Sequence, residues 1–521
     1  MRKLTLLMAG LTALLTACTL DDTPERPLVS TADFTAFDAQ RGTLKAAGLR
    51  DGASKQVSLD AEPEYITVSP DGRTAWISVQ ESNAVATLDL DSGKITALTP
   101  LGFKDHALPG NGLDASDKDS GVNIRSWPVM GAFMPDSVAS FSVGGKTYLL
   151  SANEGDTRDY ASFTDNARVA DLKLDPLKFP NAAALQAKGA LGRLTVSTLD
   201  ADTDGDGDAD RLVSFGARSM SVWTSDLTLL ADTGDLFEQQ TASRANFNSN
   251  GTSQTFDTRS DNKGPEPEGV TTGVLGARTF AFVGLERTGG VMVLNVSDPA
   301  KPALVQYMNP VNEKADAASG LAGDLGPEGL LFIPAASAPG GQALLVVANE
   351  VSGSTTLYRV AETGMLTQAG RYQVTPFAFD VGAAEIPAFD PASGRLFVVN
   401  GASSSVTVLD IRDPAAPRYV KDIPLSAYGR GANSVAVSGG VLAVAVEAAV
   451  KTDPGRVLLL DRDGAPLAAP VTVGALPDML TFTPDGTLLL VANEGEPNDG
   501  GTIDPAGSVS VINVSRALNT R

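Results

Sequence analysis

The chain has very few of the side chains that carry most metal and nucleophilic chemistry. Its 521 residues include one cysteine, Cys18, and one histidine, His106. We therefore expect no zinc site with the usual cysteine and histidine ligands and no disulfide within the chain. A Ser-His-Asp mechanism would have to use His106, but no nucleophile-elbow motif accompanies it. His106 is predicted to be a loop histidine with satisfied hydrogen bonds.

Positive charge and long apolar runs are also scarce. Forty Lys and Arg residues face 62 Asp and Glu residues, which gives a net charge of −22. This excess disfavours nucleic acid or an anionic membrane surface as the main partner and is compatible with cation binding. There is no phosphate-cradling P-loop and no dinucleotide fingerprint. Apart from the N-terminus, no segment is long and apolar enough to predict a membrane-spanning helix.

The N-terminus has the pattern of an export signal. Arg2-Lys3 precede an apolar run from Leu4 to Leu14, and Leu15-Thr16-Ala17-Cys18 resembles a bacterial lipobox. We predict that residues 1–17 are a signal peptide, that Cys18 is lipidated and that residues 18–29 are a tether. The lipid would be the only membrane contact of an extracytoplasmic bacterial lipoprotein. The alternative is a plain secretory signal that happens to contain a cysteine.

What the chain does contain is a repeat. An apolar run that ends on an acid or Asn, as in Leu345 to Glu350, occurs seven times. These runs end at Glu81, Glu154, Glu286, Glu350, Asn400, Glu447 and Glu494. Each of these runs follows a second repeated element, in which an acid or Asn lies close to Pro, Ala or Gly and is followed by another apolar run. The acid or Asn of this second element is, in chain order, Glu64, Asp136, Glu268, Glu328, Glu385, Asn433 and Asp478.

Each repeat has room for four short strands, the content of one propeller blade. We predict an all-β chain in which residues 30–521 form a single seven-bladed β-propeller of the YVTN or WD40 type. Long insertions fall at about 102–130, 155–217 and 235–264, where special function is expected. The seventh repeat has only three clear strands, so Gln56 to Leu59 is predicted to complete it. Thr31 to Leu49 is predicted to be a helix.

The two sets of acids are expected to meet. In a blade, the start of the first strand and the end of the second lie at the same face, so the acids should crowd the mouth of a central channel. Like charges about 4 Å apart repel by a few kcal/mol at intermediate dielectric, and bound Ca²⁺ would offset this cost. The predicted ligands here are Glu64, Asp136, Glu154, Asp156, Glu268, Glu286, Glu328, Glu350, Asp478 and Glu494. The alternative is that these acids cap strands and pair with arginines without an ion.

Basic residues stand beside these acids. Arg158 and Arg287 each follow a strand-ending acid closely, and Lys263 precedes Glu268, an acid of the second element. A cation together with an arginine at an open face is what binding of a phosphate ester requires. Arg158 and Arg287 are therefore candidate catalytic residues, and ordinary ion pairing is the alternative.

A separate acidic run lies in the second insertion. Aspartates at every second position, interrupted by glycines, resemble a Ca²⁺-binding loop. The candidate ligands are Asp200, Asp202, Asp204, Asp206 and Asp208. The twelfth-position Glu of an EF-hand is missing. We predict a structural Ca²⁺ loop, and a solvated acidic turn is the alternative.

Several of these segments resemble the choice-of-anchor I family over almost the whole mature chain. The segments are Ala152 to Tyr160, Gly264 to Val270, Gly284 to Arg287, Gly326 to Leu330, Ala348 to Gly353, Leu476 to Leu480 and Asn493 to Asn498. The family includes bacterial surface proteins, mesenchyme-specific cell-surface glycoproteins and an atypical large alkaline phosphatase. Segments like Glu385 to Ser515 come first in the family but last here, so the chain looks circularly permuted, which a closed ring tolerates.

The resemblance implies a surface protein with phosphatase-like or phytase-like activity. Together with the acids, it leads to the expectation of a Ca²⁺-dependent phosphoesterase that acts on a phosphorylated small molecule. The alternative is a non-enzymatic surface module that binds a surface partner and uses Ca²⁺ only structurally.

Overall fold

Short antiparallel sheets make up most of the structure. The computed structural model describes residues 27–519, so the predicted signal peptide and Cys18 lie outside the described residues. Within residues 27–519 there are seven four-stranded antiparallel sheets, which we number in the order of their first strands. Sheet 1 consists of Pro63–Val68, Thr74–Val79, Ala84–Asp89 and Lys94–Pro100. Sheet 2 consists of Val138–Val143, Lys146–Asn153, Ser219–Thr224 and Leu229–Asp232. Sheet 3 consists of Pro267–Leu275, Arg278–Leu285, Val291–Asn295 and Ala303–Met308.

The later sheets follow one another closely along the chain. Sheet 4 consists of Pro327–Ile333, Leu344–Asn349, Ser354–Val360 and Leu366–Gln373. Sheet 5 consists of Pro387–Asp390, Arg395–Asn400, Ser405–Asp410 and Arg418–Pro424. Sheet 6 consists of Ala432–Ser438, Val441–Val446, Pro454–Leu460 and Val471–Ala475. Sheet 7 consists of Pro477–Phe482, Leu488–Asn493, Ser508–Asn513 and Val29–Asp33.

The first strands of the sheets contact one another in a closed cycle. Each touches the first strand of the next sheet, and that of sheet 7 touches that of sheet 1. They surround a channel, and a 580 Å³ cavity fills the half in which these strands end, lined by side chains such as Ile66, Phe332 and Phe482. This arrangement is a β-propeller, so the predicted all-β propeller class is confirmed.

Burial explains why the repeats fold as sheets. The second strands are largely buried because both of their faces are covered by neighbouring sheets, and Leu344–Asn349 and Leu488–Asn493 are buried at every position. Their runs of Val, Leu and Ala suit that environment. Outer fourth strands such as Arg418–Pro424 are mostly exposed and polar. Apolar clusters therefore lie between adjacent sheets, as Phe397 and Val444 do between sheets 5 and 6.

The prediction for the strand that completes sheet 7 was wrong in its position. Val29–Asp33 pairs with Ser508–Asn513, so the last sheet does combine both ends of the chain. Residues Val57–Asp60 instead form a helical turn, in which the Ser58 N–H donates to the Asp38 carboxylate at 2.8 Å. The predicted helix over residues 31–49 is also shorter than expected, because its first residues belong to the strand Val29–Asp33. It consists of the 3₁₀ segment Thr35–Gln40 and the α-helix Arg41–Ala46.

The first two insertions fold together. Their five-stranded sheet consists of Phe103–Asp105, Met130–Ala132, Val213–Ser214, Thr195–Ser197 and Asn166–Arg168. A small core that includes Leu191, Val196 and Leu212 lies beneath it. Both insertions leave their sheets at the ends where the first strands begin, so this unit stands beside that end of the channel.

The remaining elements are short. A hairpin joins Asp159–Tyr160 to Phe163–Thr164. The other α-helices are Ala182–Leu185, Leu236–Thr241 and Val514–Leu518. The other 3₁₀ segments are Val169–Asp171, Ser253–Thr255, Ala317–Ser319, Pro339–Gly341 and Gly401–Ser403. None of the helices within residues 27–519 has the length and apolar character needed to cross a membrane.

Candidate functional site

The Pro-acid pairs that begin the repeats form β-bulges. In sheet 3, Pro267 pairs with Leu285 and Val270 with Val283, so Glu268 and Gly269 lie opposite a single residue. The same irregularity follows Pro63, Pro327 and Pro477. A proline has no N–H to give to the ladder, and a bulge redirects the side chain of the extra residue. The acids at the bulges are Glu64, Glu268, Glu328 and Asp478.

The glycine that follows the acid allows neighbouring first strands to approach. A Cβ at Gly269 would lie 2.0 Å from the carbonyl oxygen of Glu328, and one at Gly329 would lie 2.4 Å from that of Glu385. No side chain fits in this space. In sheets 3 and 4 the Pro-Glu-Gly pattern therefore lets neighbouring first strands come close together. The end of the channel at which the first strands begin is called the mouth below.

The Asn-Glu pairs at the ends of the second strands have divided roles. The Asn amides tie the second strand to the third: Asn153 Nδ2 donates to Ser221 Oγ at 2.8 Å, and Asn493 Nδ2 donates to the Ser508 carbonyl at 3.1 Å. The acid that follows is held by its backbone, since the Glu350 N–H donates to the Gly326 carbonyl at 2.7 Å and the Glu494 N–H donates to the Leu476 carbonyl at 3.0 Å. The Asn side chain thus links the second strand to the third, and the Glu side chain remains free to face the mouth.

Carboxylates from different sheets converge there. Asp136, Glu154 and Glu268 each offer an oxygen within 4.8 Å of those of the others, and so do Glu154, Glu266 and Glu286. Burial raises the pKa of Glu268 well above its usual range, and the charges of Glu286 and Glu154 raise it further. Burial and Glu154 have the same effect on the pKa of Asp136. Ionising these groups together is therefore costly without a cation.

The other half of the mouth is also acidic. Burial raises the pKa values of Glu64 and Glu494 well above the usual range. The charge of Glu81 raises the pKa of Glu64 further, and the charge of Asp478 raises that of Glu494. Burial raises the pKa of Asp478 to about 7. Burial likewise raises the pKa values of Glu328 and Glu350. The predicted crowding of acids at one end of the channel is therefore what the structure contains.

Several of these carboxylates lack a protein partner. Among the described residues, one oxygen each of Glu64, Glu81, Glu268 and Glu328 is buried and accepts no hydrogen bond. Buried polar atoms normally have a partner, and an oxygen-rich cluster of this kind suits a hard divalent cation. The side chains at the mouth thus fit Ca²⁺ or Mg²⁺.

Lys263 is a buried cation within this cluster. Its Nζ lies 2.6 Å from Oε1 of Glu154, 3.3 Å from Oε2 of Glu266 and 3.6 Å from Oδ1 of Asp156. Burial opposes its charge, yet Glu154 and Glu266 raise the pKa of Lys263 well above its usual value. The second oxygen of Glu154 accepts a hydrogen bond from Gln80 at 3.0 Å. Part of the negative charge is therefore neutralised within the protein.

Arg287 stands between this cluster and an open cavity. Its Nη2 lies 2.8 Å from Oε1 of Glu286, its Nε lies 3.5 Å from Oε2 of Glu266, and 32% of its side chain is exposed. The adjoining cavity measures 440 Å³, and its lining includes Arg287, Glu286, Arg259 and Phe379. Of the two predicted catalytic arginines, Arg287 is the one that a small molecule in this cavity can reach.

Arg158 has a different environment. Its buried guanidinium donates from Nη2 to the Asp60 carbonyl at 2.8 Å and to Ser82 Oγ at 3.0 Å, and from Nη1 to the Glu81 carbonyl at 3.1 Å. Its Nε lies 3.5 Å from Oε2 of Glu62. These partners connect separate loops around the mouth, so the contacts of Arg158 serve the architecture of the site.

The aspartate run in the second insertion is divided among three places. Asp200 is buried, with Oδ2 2.9 Å from Nε of Arg50 and 2.7 Å from Ser197 Oγ, so an ion pair turns it away from the loop. Asp202, Asp204 and Asp206 form one exposed group. Asp208 belongs to a second group with Asp175 and Asp210, two residues that were not among the predicted ligands.

His106 is buried beside the insertion sheet. Its Nδ1 lies 2.6 Å from the carbonyl oxygen of Asn111, and burial lowers its pKa well below the usual value. Nε2 is buried and has no hydrogen-bond partner among the described residues. One ring nitrogen is thus satisfied as expected, and the other is not.

Sequence reasoning missed several residues at the mouth. Glu266 contacts Lys263, Arg259 and Arg287 together. Tyr160 donates its hydroxyl to Oε1 of Glu62 at 2.7 Å. Glu62 and Glu266 each stand two residues before a predicted repeat acid, in the sequence Glu-Pro-Glu. This second acid in the repeat could have indicated from the sequence that both residues belong to the site.

A comparison with known protein families identifies the family of this chain. The choice-of-anchor I domain matches residues 15–299 and 385–520. The chain belongs to the choice-of-anchor I family.

Two named relatives match parts of the chain. Gigasin-3a of Magallana gigas is 32% identical over 194 residues, which are 34% of this chain and 67% of that protein. The mesenchyme-specific cell surface glycoprotein of Strongylocentrotus purpuratus is 26% identical over 321 residues, 52% of this chain. The match spans only 40% of the sea urchin protein.

Solved propellers resemble this choice-of-anchor I chain at low sequence identity. The β-propeller domain of Cps50 (Swd1) from Myceliophteria thermophila superposes with a TM-score of 0.43 and 10% identity. The superposition covers 86% of this chain and 96% of that one.

Proposed function

We propose that this chain is a Ca²⁺-dependent phosphoesterase whose active site is the acidic mouth of the propeller. One observation carries the proposal. Buried carboxylate oxygens without a protein partner lie beside two basic side chains at a single open end of the channel. An oxygen-rich cavity that joins a cation site to an arginine suits a phosphate ester.

The residues would have distinct roles. Asp136, Glu154 and Glu268 would hold the cation, because their oxygens already converge. Bound Ca²⁺ would supply neutralisation of phosphoryl charge and a coordinated water of lowered pKa. Arg287 would bind and orient the phosphoryl oxygens from the wall of the 440 Å³ cavity. Lys263 would keep Glu154 ionised and in place.

The family also supports a position at the cell surface. The chain belongs to a family named for its anchors, and a relative in sea urchin is named as a cell surface glycoprotein. We propose that the lipobox-like Cys18 carries a lipid and that the propeller works outside the cytoplasmic membrane. Its substrate would then be an extracellular phosphorylated small molecule.

Hydrolysis of p-nitrophenyl phosphate by a soluble form lacking residues 1–18 tests this proposal. We expect turnover with Ca²⁺ that EDTA abolishes. Replacing Glu154→Gln and Glu268→Gln together should reduce kcat/KM at least about a hundredfold, since removing charge stabilisation of this kind costs about 3 kcal/mol. Arg287→Lys should mainly raise KM.

A matched control comes from the exposed aspartate group of the insertion. Asp204→Asn should leave kcat and KM unchanged, because Asp204 is not among the mouth residues. Absence of hydrolysis with Ca²⁺, Mg²⁺ and Mn²⁺ alike would refute the proposal. So would a rate that the Glu154 and Glu268 double variant does not change.

The second candidate is a non-enzymatic surface module in which Ca²⁺ is structural. The observation that favours it is that the protein itself uses the donors of Arg158 and the ammonium of Lys263. A melting temperature that falls on chelation, in a protein with no turnover, would support this alternative.

A further inference from the structure

The acidic loop of the second insertion meets a separate segment of the chain. The Ala209 N–H donates to the Lys173 carbonyl at 2.8 Å, and the Asp175 N–H donates to the Ala209 carbonyl at 3.0 Å. This short parallel bridge sets Asp175 beside Asp208 and Asp210. The three carboxylates offer oxygens that lie within 4.8 Å of one another.

Asp208 is the most enclosed of the three. Only 7% of its side chain is exposed, and its Oδ2 lies 3.0 Å from Nζ of Lys173. Its Oδ1 is buried and has no hydrogen-bond partner among residues 27–519. An ionised oxygen in that position needs a cation or a donor to offset its lost hydration.

Hydrogen bonds orient the other two carboxylates. Oδ2 of Asp210 accepts from the N–H and the hydroxyl of Thr203, both at 2.7 Å. Oδ1 of Asp175 accepts from the Leu177 N–H at 2.6 Å. The group is therefore held in one arrangement by the backbone around it.

Lys173 is the basic residue that pairs with this group, and its side chain is loosely held. Its side chain is 73% exposed, and within the described residues its ion pair is with Asp208. The ammonium therefore keeps much of its hydration in the pair, and a pair with one exposed partner contributes less free energy than a fully buried one. The lysine can leave the carboxylates at small cost when a stronger cation arrives.

We propose that Asp175, Asp208 and Asp210 form a second divalent-cation site, and that Lys173 is its built-in competitor. A set of carboxylate oxygens favours Ca²⁺, which accepts several carboxylates without strict geometry, over Mg²⁺, which demands a near-ideal octahedron, and over zinc, which is usually bound by cysteine and histidine. The site is separate from the mouth and from the exposed group of Asp202, Asp204 and Asp206. A bound cation would link the segment around Leu174 to the end of the loop at Ala209. Leu174 and Ala209 both belong to the same small core.

Calcium titration by calorimetry on the soluble chain lacking residues 1–18 tests the proposal. The background is the Glu154→Gln, Glu268→Gln and Asp204→Asn variant, which weakens the other candidate sites. We expect Asp208→Asn to remove one bound Ca²⁺ and the matching part of the Ca²⁺-dependent rise in Tm. Asp175→Asn, at a less enclosed position, should do the same and serves if Asp208→Asn does not fold.

Lys173→Ala separates a cation site from a simple ion pair. If Lys173 competes with Ca²⁺, its removal should tighten Ca²⁺ binding by roughly tenfold, the equivalent of about 1.4 kcal/mol. Lys146→Ala, at an exposed hairpin end, is the control and should change nothing. Unchanged stoichiometry in both aspartate variants would overturn the proposal. So would a Lys173→Ala variant that loses stability without any gain in Ca²⁺ affinity.

Discussion

The ammonium group of Lys263 lies 2.6 Å from Oε1 of Glu154. The lysine comes from the third insertion and the glutamate from the end of a second strand, so the contact joins a variable segment to the repeat. It also places a fixed positive charge within the acidic mouth. The balance between this charge and a bound cation can be measured.

Replacing Lys263→Met should therefore make the protein depend on calcium. The change leaves Glu154 buried without its ion pair, whereas Glu266 keeps Arg259 and Arg287. We expect the loss to cost about 3 kcal/mol of unfolding free energy in EDTA. Saturating Ca²⁺ should recover more of this loss than it adds to the wild type. Urea unfolding with and without Ca²⁺ measures the difference, with Lys146→Met as the control. An equal loss in both conditions would contradict a cation site beside Lys263.

Gly269→Ala should separate sheets 3 and 4. The added Cβ would lie 2.0 Å from the Glu328 carbonyl oxygen, and this contact is with backbone, which cannot turn aside. We expect a loss of more than about 2 kcal/mol in unfolding free energy, typical of overpacking. Gly42→Ala, in a helix with nothing within 4 Å of the new Cβ, should instead add up to about 1 kcal/mol. Thermal melts of both variants check the contrast, and a mild effect at Gly269 would mean that the sheets can move apart.

Removing residues 1–33 should open the ring. Sheet 7 would lose its outer strand and expose the edge of Ser508–Asn513, whose backbone now pairs with Val29–Asp33. Exposed edges recruit other chains, so we expect a lower Tm and concentration-dependent association. Light scattering and thermal melts of chains that begin at residue 27 or residue 34 make the comparison. A shorter chain that stays monomeric with an unchanged Tm would show that this strand does not hold the ring closed.

The unfolding free energy should decrease as the pH rises, because of Asp114. Burial raises the pKa of this carboxyl to about 7, against about 3.9 in an unfolded chain. Between these values the native state binds the extra proton, so the unfolding free energy declines by up to about 1.4 kcal/mol per pH unit as pH rises. Its contribution is present below about pH 4 and is lost by about pH 7.

The variant Asp114→Asn isolates this contribution. The difference in unfolding free energy between wild type and variant should decline from pH 4 to 7 and then level off, as followed by urea unfolding. Gln368→Ala, at an exposed site without a titratable group, is the control and should give a difference that does not change with pH. A flat difference for Asp114→Asn would show that its carboxyl is ionised throughout this range.

Much of the propeller could be predicted from the sequence because each repeat is local. The run Leu345 to Glu350 shows its strand, its buried character and its terminal acid without any knowledge of distant residues. Val29–Asp33 could not be found in this way, since the sequence Val-Ser-Thr-Ala-Asp has little apolar character and its partner lies at the other end of the chain.

The same distinction applies to the candidate site. The acids of the mouth occur at repeated positions and were predicted, but their basic partners were only partly assigned. Arg158 donates to carbonyls of Asp51, Asp60 and Glu81, which are far from it in sequence. Asp200 pairs with Arg50 for the same reason. Such contacts depend on how insertions fold over the ring, and no local pattern records them.

The pairing of Val29 with Ile512 fixes the side of the propeller at which the N-terminal strand enters sheet 7. Asn493 and Ser508 pair at the mouth end of sheet 7, whereas Val29 enters the sheet at its other end. The chain therefore joins the ring on the side opposite the carboxylates. The lipid proposed above on Cys18 would then leave the acidic opening directed away from the membrane, toward solutes that arrive from the surrounding medium.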